Sequence, residues 1–495
     1  MARARVPAAV MLLALAGCGG SSAARPPGRD GGADRPSPAD AADAGGDAQP
    51  PVPVTVTVDP TVTAGAIGPG FVGLSYEKSH LRQGLFRGDN AALVALFKLL
   101  GPSILRVGGN SVDETVWQSY DGGAPAPDAA VPQTITAADV DGLAAFAAAA
   151  GWKVLYGVNL KLASPSVDAA EAAYAAQALG SALYGWEIGN ECDLYTTVVA
   201  SPGTWSYAAF TSAWQSFEAA LAAGVPGTAF TGPASASHYT TWTVPFAADE
   251  ASAIVLLTQH YYIANGQAAT STIDLMLSPN PGLATELGAL AKAASANHVA
   301  NGYRLGECNS FYNGGAPGVS NAYASALWAI DFLFANAQNG AAGVNFHGGG
   351  NSAGYTPIAD AGGAVVGARP MFYGMLLFSM AGQGALLATS AAPTSTSFSA
   401  YAVSAAANET RVVLSNKSAS TPVAARVVVG RSFSSASVIR LAGPSLAATS
   451  GVTLAGATIG ADGSFTPGAP ETATVTGAAV EVQVPPASAA LVIAR

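Results

Sequence analysis

Short β-prone runs alternate with alanine-rich stretches of helical character between Gly70 and about Ala385, and this alternation constrains the fold most. The β-prone runs are FVGLSYE, ILRVGG, KVLYGVNL, YGWEIGNE, AFTGPAS, IVLLTQHYY, YRLGECNS and GVNFHGG. Helical candidates between them are AALVALFKLL, VDGLAAFAAAAG, AEAAYAAQAL, YAAFTSAWQSFEAALAAG, ATELGALAKAASA and AYASALWAIDFLFANA. Eight such units in roughly 315 residues match the size of a (β/α)8 barrel. An open, doubly wound sheet usually carries a glycine-rich fingerprint after its first strand, and SYEKSH has none. We therefore predict an α/β fold, a (β/α)8 TIM barrel over residues 70–385.

The helical stretches stop beyond about Leu386. SFSAYAVS, TRVVLSN, PVAARVVVG, ASVIRLAG, AVEVQVP and AALVIAR then alternate with turn residues. This pattern is typical of a small antiparallel β-sandwich, which we predict over residues 386–495. A further alternating run, PVTVTVDPTVT, precedes the barrel. We expect it to supply a strand, within residues 53–69, that joins the C-terminal β-domain.

The first residues have the features of an export signal. Arg3 and Arg5 precede an apolar run that is too short to span a bilayer. The run ends in Leu-Ala-Gly and Cys18, which resembles the lipobox of bacterial lipoproteins, where the cysteine becomes the lipidated first residue. The alternative is a plain signal peptide with an incidental cysteine. We predict a lipoprotein signal peptide over 1–18 and lipidation of Cys18. The exported protein would then be anchored in a membrane, at the periplasmic or outer cell surface.

Residues 19–52 are mostly Ala, Gly, Pro, Asp and Ser, which predicts a flexible tether. The whole chain is half hydrophobic, with 11% charged residues, as expected of a large buried core. Its formal net charge of -10 argues against a nucleic-acid partner.

Carboxylates stand at two predicted strand ends, where TIM barrels carry their catalytic groups. Strand four ends in Asn190 and Glu191, and strand seven ends in Glu307. Two carboxyl groups across a barrel mouth suit glycosidic-bond cleavage, with one as acid and the other as nucleophile. The alternative is that both are solvated residues leaving a strand. A second Asn-Glu pair, Asn408 and Glu409, lies in a C-terminal turn, so the dipeptide alone decides nothing.

Six segments together resemble one known family of enzymes. LSYE, LRVGGNSVD, WEIGNE, QHYY, GECNSFYNGG and NFHGGG are similar to glycoside hydrolase family 79 of clan A, which holds bacterial β-glucuronidases and heparanases. The resemblance covers the barrel and extends to the C-terminal β-domain. It implies retaining hydrolysis of β-linked glucuronic acid without a cofactor. It also implies that Glu191 is the acid/base and Glu307 the nucleophile.

The resemblance implies further roles around these two glutamates. Asn190 would hydrogen-bond the sugar 2-hydroxyl, and Glu77 would bind sugar hydroxyls. Arg106 would lie beside the nucleophile and keep it ionised, because a nearby cation lowers a carboxyl pKa. The alternative for Arg106 is an ion pair with Glu187 in the barrel interior.

Several tyrosines are candidates for the sugar subsite. Either Tyr261 or Tyr262 would line it, and the alternative for both is aromatic packing. In the family, the loop after strand seven recognises the uronate carboxylate through a tyrosine hydroxyl and backbone N–H groups. By spacing, this role falls to the residues of SFYNGG, and Tyr355 is a further candidate. The residues concerned are Tyr312, Asn313 and Gly314. The alternative for this segment is an ordinary tight turn.

Three histidines, His238, His260 and His347, could also converge at the barrel mouth. Their spacing matches no ligand motif, so we predict no metal site.

Charge separates the possible activities. Residues 70–385 contain 10 Lys and Arg against 21 Asp and Glu. A cleft for a sulfated polyanion should be basic. We therefore expect an exo-acting β-glucuronidase acting on carbohydrates with a terminal uronic acid. The alternatives are an endo-acting heparanase-like enzyme, another clan A glycosidase such as an arabinofuranosidase, and a non-catalytic glycan-binding surface lipoprotein.

Overall fold

The computed structural model describes residues 49–118, 133–196, 198 and 203–495. The signal segment, Cys18 and most of the tether lie outside these residues. The strands are β1 (Val52–Ile67), β2 (Val72–Glu77), β3 (Ile104–Gly108), β4 (Thr115–Trp117), β5 (Gln133–Ile135), β6 (Lys153–Val158), β7 (Leu183–Ile188), β8 (Phe230–Ser235), β9 (Ile254–Asn265), β10 (Tyr303–Tyr312), β11 (Gly343–Gly348), β12 (Ile358–Ala361), β13 (Ala364–Ala368), β14 (Gly384–Ala392), β15 (Phe398–Ala406), β16 (Glu409–Asn416), β17 (Val423–Val429), β18 (Ala436–Ala442), β19 (Thr453–Leu454), β20 (Glu471–Thr472), β21 (Thr474–Thr476), β22 (Ala479–Val484) and β23 (Ser488–Ala494).

The α-helices are α1 (Ala91–Leu100), α2 (Ala137–Ala150), α3 (Pro165–Leu179), α4 (Tyr207–Gly224), α5 (Thr243–Asp249), α6 (Ile273–Leu277), α7 (Pro281–Ala296), α8 (Ala324–Gln338) and α9 (Pro370–Ala381). Short 3₁₀ turns cover Lys78–Gln83, Asn110–Glu114, Gly180–Ala182 and Cys192–Leu194. Within the described part of the chain, no helix combines the length and apolar character needed to cross a membrane.

Eight parallel strands close into a barrel, which confirms the predicted fold. Around the barrel the order is β10, β11, β2, β3, β6, β7, β8 and β9. These strands are the eight β-prone runs of the sequence. Their register aligns side chains that matter for the site, because Ser75 of β2 pairs with Arg106 of β3 on one side and with His347 of β11 on the other.

Local signals explain most of the helices. A capping box at Thr136 and Asp139 starts α2, and Asn90 caps α1 with its side chain. The sequence did not predict α9, which follows the last barrel strand. Its residues from Pro370 to Phe378 are all buried. A helix that is apolar all round lacks the contrast between faces on which helix prediction depends.

β4 with β5 and β12 with β13 form two small sheets of two strands each. The other eleven strands outside the barrel form the predicted antiparallel β-domain, but as one curled sheet. Its order is β19, β18, β23, β16, β15, β14, β1, β17, β22 and β21, with β20 also paired to β18. β1 pairs antiparallel with β14 and parallel with β17. Its register shifts between Asp59 and Gly65, and such bulges bend a strand. The inward valines Val54, Val56 and Val58 pack in the core of this domain.

The sheet also packs directly on the barrel. The Tyr323 hydroxyl before α8 donates a 3.0 Å hydrogen bond to the Leu441 carbonyl of β18. Phe334 of α8 stacks on Tyr401 of β15, with ring centroids 4.2 Å apart. The outer face of the barrel is therefore partly covered by the sheet, while its mouth is left open for a site.

Candidate active site

A cleft of about 780 Å³ opens at the carboxyl ends of the barrel strands. Nine of the residues predicted from the sequence line it: Glu77, Asn190, Glu191, Tyr262, Glu307, Tyr312, Asn313, Gly314 and Tyr355. They come from five different strand ends, so the barrel closure brings together residues that are far apart in the chain. This volume is in the range of small-molecule sites in proteins.

Glu191 lies in a turn with unusual backbone angles. Its φ is +50°, a left-handed conformation that is uncommon for a residue with a side chain and that clusters at functional sites. Its N–H donates to the Ala234 carbonyl at 2.9 Å. Gly189, two residues earlier, has φ of +83°, and a Cβ there would lie 2.4 Å from the Cys192 sulfur. The side chain of Glu191 faces His260, with Oε1 2.9 Å from Nδ1.

Glu307 is buried and held on both carboxylate oxygens. Arg106 Nη1 donates to Oε2 at 2.7 Å, and the Tyr262 hydroxyl donates to Oε1 at 2.7 Å. Burial by itself would raise the pKa of Glu307. The charges of His347, His260 and Arg106, and then the Tyr262 hydrogen bond, outweigh burial and hold the pKa well below its usual range. Glu307 is therefore an ionised carboxylate at neutral pH.

Arg106 is fully buried at the centre of this network. Nε donates to Glu187 at 2.5 Å, Nη2 donates to the Asn190 amide oxygen at 2.8 Å, and Nη1 also reaches Ser75 at 3.2 Å. The sequence left two roles open for Arg106, a contact with Glu307 and an ion pair with Glu187. Arg106 makes both contacts at the same time. The planar guanidinium can do this because it presents five donors in a fixed fork.

His347 links Glu307 to Glu77 across the floor of the cleft. Its Nε2 lies 3.4 Å from Glu77 Oε1, and its Nδ1 lies 3.5 Å from Glu307 Oε2. Burial opposes protonation of His347, but the two carboxylates raise its pKa. Burial likewise opposes ionisation of Glu77, and the hydrogen bond and charge of His347 lower its pKa. The Ser111 N–H holds the second oxygen of Glu77 at 2.7 Å.

The two glutamates predicted from the strand ends face each other closely. One carboxylate oxygen of Glu191, one of Glu307 and a ring nitrogen of His260 all lie within 4.8 Å of one another. The same three groups have a spacing that could hold a metal ion, but Arg106 and Tyr262 already occupy both oxygens of Glu307. His238, which the sequence grouped with His260 and His347, instead contacts Asp193 at 2.9 Å and is half exposed.

The two adjacent tyrosines of β9 point to opposite faces of the strand. Tyr262 lines the cleft, whereas Tyr261 stacks on Phe332 of α8 with ring centroids 5.4 Å apart. The Tyr261 hydroxyl accepts a 2.7 Å hydrogen bond from Asn280. Of the two tyrosines that the sequence left open, Tyr262 is therefore the one that lines the cleft, because successive side chains of a strand alternate between the barrel interior and the surrounding helices.

A tight turn follows Tyr312 at one end of the cleft. Asn313, Gly314 and Gly315 have φ of +59°, +79° and +89°. The Tyr355 N–H donates to the Gly314 carbonyl at 3.2 Å, which joins this turn to the loop after β11. Among the residues that the structure describes, none accepts a hydrogen bond from the N–H of Gly314 or Gly315. Gly314 lines the cleft, whereas Gly315 is buried. The Gly314 N–H and the half-exposed Tyr312 side chain therefore offer donors to an anion.

Sequence reasoning missed a polar group on the opposite wall of the cleft. Asn110, Asp113, Lys161 and Tyr195 all line it. The Tyr195 hydroxyl donates to Asp113 at 2.5 Å and accepts a 3.3 Å hydrogen bond from the Asn190 N–H. Burial, opposed by Tyr195 and Lys161, raises the pKa of Asp113 to about 7. Lys161 follows the run KVLYGVNL directly, so reading the residues after each strand end would have found it.

Comparisons with known proteins agree with this architecture. The sequence model of the glycosyl hydrolase family 79 C-terminal beta domain matches residues 400–491. A curated β-glucuronidase of Aspergillus niger is 30% identical over 215 residues, which cover 38% of this chain and 39% of that protein. One of Neurospora crassa is 29% identical over 220 residues, which cover 39% of each chain. The match thus spans about two fifths of the length of these relatives.

Solved structures share the fold at lower identity. A 4-O-α-L-rhamnosyl-β-D-glucuronidase of Fusarium oxysporum superposes with a TM-score of 0.75 at 21% identity, covering 88% of this chain and 99% of that one. An α-L-arabinofuranosidase of Thermotoga maritima superposes with a TM-score of 0.65 at 16% identity, covering 89% and 99%. At such identities the likeness establishes the barrel with its β-domain.

Proposed function

We propose that this chain, which belongs to glycoside hydrolase family 79, is a retaining, exo-acting β-glucuronidase. It would cleave terminal β-linked glucuronic acid through a covalent glycosyl-enzyme intermediate. One observation carries the proposal, namely that oxygens of Glu191 and Glu307 lie within 4.8 Å at the barrel mouth. Retaining enzymes have their two carboxyl groups about 5–5.5 Å apart, whereas inverting enzymes leave room for a water between them, at about 6.5–9.5 Å.

In the first step Glu307 attacks the anomeric carbon of the sugar. Glu191 donates its proton to the glycosidic oxygen, the bond to the leaving group breaks, and an ester forms between Glu307 and the sugar. In the second step a water attacks the same carbon, Glu191 takes a proton from it, and the ester bond breaks. Two displacements on one carbon give retained configuration.

The surroundings of the two glutamates suit these different tasks. Glu307 must be ionised to attack, and Arg106 and His347 favour its charged form. Glu191 is held by His260 alone among the described side chains, at 2.9 Å, and is more exposed than Glu307. An acid/base must lose and regain a proton in each cycle, which suits the more exposed of the two carboxyl groups.

Neighbouring groups are in position to bind the sugar. The Asn190 amide oxygen accepts from Arg106, and its nitrogen donates to Asn110 at 3.1 Å. This fixes the orientation of the amide and leaves one N–H for the sugar 2-hydroxyl. Glu77, held by Ser111 and His347, would accept hydrogen bonds from other sugar hydroxyls.

The turn after β10 would hold the uronate carboxylate. The Tyr312 hydroxyl and the N–H of Gly314, two residues that line the cleft, can donate to an anion. Asn313 holds the turn through a 3.1 Å hydrogen bond to Asn265, and Tyr355 closes its far side and would contact the sugar. The names of the curated relatives, both β-glucuronidases, support the same substrate class.

A panel of aryl glycosides tests the proposal. The purified protein should release the phenol from the β-glucuronide and leave the galacturonide, glucoside and arabinofuranoside nearly untouched. A Glu307→Gln variant made in the same way controls for contaminating activity. Turnover of the arabinofuranoside instead would point to the other clan A activity, and turnover of none would leave a glycan-binding role. Product size from a long glucuronan would separate exo from endo action.

Export and a lipid anchor at Cys18 remain part of the proposal. They rest on the lipobox-like end of the apolar run, which lies outside the described residues. Labelled palmitate should enter the expressed protein and should be lost in Cys18→Ser. A mature protein that is cut elsewhere and lacks Cys18 would contradict the anchor.

A further inference from the structure

If the proposed function is correct, the leaving group of the substrate binds against the wall of the cleft on the Glu191 side. The acid must contact the glycosidic oxygen, so the leaving group lies on the Glu191 side. The turn at Tyr312 belongs to β10, and the loops after β6 and β7, which are four and three strands away from β10, lie across the barrel from it. Lys161 and Leu194 line the cleft on that far wall. The chemistry of this wall therefore bears on which leaving groups the site accepts.

The ammonium group of Lys161 makes few close contacts with other residues of the protein. Its Nζ lies 3.7 Å from Asp113 Oδ2, beyond hydrogen-bond distance, and 5.1 Å from the centre of the Tyr195 ring. It donates no side-chain hydrogen bond to any residue that the structure describes, although an ammonium carries three donors. Its side chain is 37% exposed. Among the described residues that line the cleft, Lys161 is the only lysine or arginine.

Asp113 does not neutralise this charge fully. Its Oδ1 accepts a hydrogen bond from the Tyr195 hydroxyl, and its Oδ2 lies 3.7 Å from the ammonium. Burial also favours the protonated form of Asp113. Lys161 thus presents a positive charge to the cleft, which the half-exposed apolar side chain of Leu194 also lines.

We propose that Lys161 determines leaving-group specificity by pairing with one anionic group, a carboxylate or a sulfate, on a leaving group whose ring lies against Leu194. The inference rests on the proposed function and adds the chemistry of the second half of the substrate. One lysine suits one anionic group. The excess of acidic residues in the barrel, 21 against 10 basic ones, still disfavours a polyanion.

Matched aryl glucuronides test the inference. One substrate carries a carboxylate on the aryl ring, one a sulfonate, and one a neutral carboxamide, and kcat/KM is measured for each at low salt. The phenols differ in acidity, so the quantity of interest is the ratio of an anionic to the neutral substrate, compared between wild type and variant. Intrinsic leaving-group effects cancel in that comparison.

Lys161→Met should lower this ratio about two- to fivefold, the range of a half-exposed ion pair. Added salt should lower the wild-type ratio and leave that of the variant almost unchanged. Lys161→Arg should retain the preference, which distinguishes loss of charge from loss of packing. Lys153→Met is the matched control, since Lys153 begins the same strand at the opposite end of the barrel, and it should behave as wild type.

The carboxylate and sulfonate arms tell which anion is preferred. If the wild type hydrolyses all three glucuronides and the ratio is the same in Lys161→Met, the inference is refuted while the proposed function stands. If the wild type hydrolyses none of them, the proposed function fails and the inference falls with it.

Discussion

Removal of each glutamate in turn should give opposite products with azide. In Glu307→Ala the proposed nucleophile is absent, and turnover should be lost. Azide can then attack the anomeric carbon from the face that the carboxylate used, so it should restore turnover and give an α-glucuronosyl azide, with inverted configuration. In Glu191→Ala the glycosyl-enzyme still forms from a substrate with an acidic phenol. Azide should intercept it and give a β-glucuronosyl azide, with retained configuration.

The structure sets the expected magnitudes. General acid catalysis is typically worth about 10²–10⁴-fold, so Glu191→Ala should lose that much on a poor leaving group and much less on a nitrophenol. The cavity in Glu307→Ala keeps Arg106 and Tyr262, each 2.7 Å from a former carboxylate oxygen. That in Glu191→Ala keeps only His260 among such contacts. A hydrogen bond to a charged group contributes about 1.5–3 kcal/mol. The azide concentration that gives half-maximal effect should therefore be at least about tenfold lower for Glu307→Ala than for Glu191→Ala.

The assay follows phenol release against azide concentration and assigns the anomer of the product by NMR coupling constants. Glu481→Ala serves as control, because Glu481 is a half-exposed residue of β22 paired with Arg426, and it should keep wild-type rates with no effect of azide. The same product configuration from both variants, or full activity in either, would refute the assignment of Glu307 and Glu191.

Three further changes test single contacts. Tyr262→Phe removes the hydrogen bond to Glu307 and should lower kcat/KM at least about tenfold, whereas Tyr261→Phe should stay within about twofold; equal effects would contradict the separation of the two faces of β9. Tyr312→Phe should weaken hydrolysis of a glucuronide more than that of the matching glucoside, and equal losses would mean that the hydroxyl does not bind the carboxylate. Asp113 has its folded-state pKa raised to about 7, so the folded protein binds the proton more tightly than the unfolded chain and loses stability as pH rises from about 4 to 7. Asp113→Asn should therefore gain stability relative to wild type as the pH rises from 5 to 8, by about 2.5 kcal/mol. Urea unfolding at both pH values that shows no such gain would contradict the shift.

The barrel could be predicted from the sequence because its signal is local and repeated. Each of the eight strands is a short apolar run, and buried parallel strands need no more than that. The positions of Glu191 and Glu307 followed from the rule that barrel strands end at the active-site mouth. The sequence did not predict helix α9, because helix prediction depends on an alternation of apolar and polar faces. The sheet domain covers the face of α9 that would otherwise have been polar.

Other features depended on distances between residues that are remote in the chain. Sequence spacing could not show whether Arg106 pairs with Glu187 or with Glu307. The guanidinium group pairs with both, because β3, β7 and β10 bring the three side chains together. The choice between Tyr261 and Tyr262 needed the phase of β9, which an apolar run without alternation does not reveal.

The sequence by itself determined the barrel, its β-domain and the two facing carboxylates, because hydrophobic pattern and chain order carry that information. Only the tertiary structure decided which polar side chains share the cleft, how Glu307 is kept ionised, and that Lys161 lines the cleft. Electrostatic interactions act through space over a few ångströms, and residues 106, 161 and 307 come within that range of the cleft only once the barrel has closed.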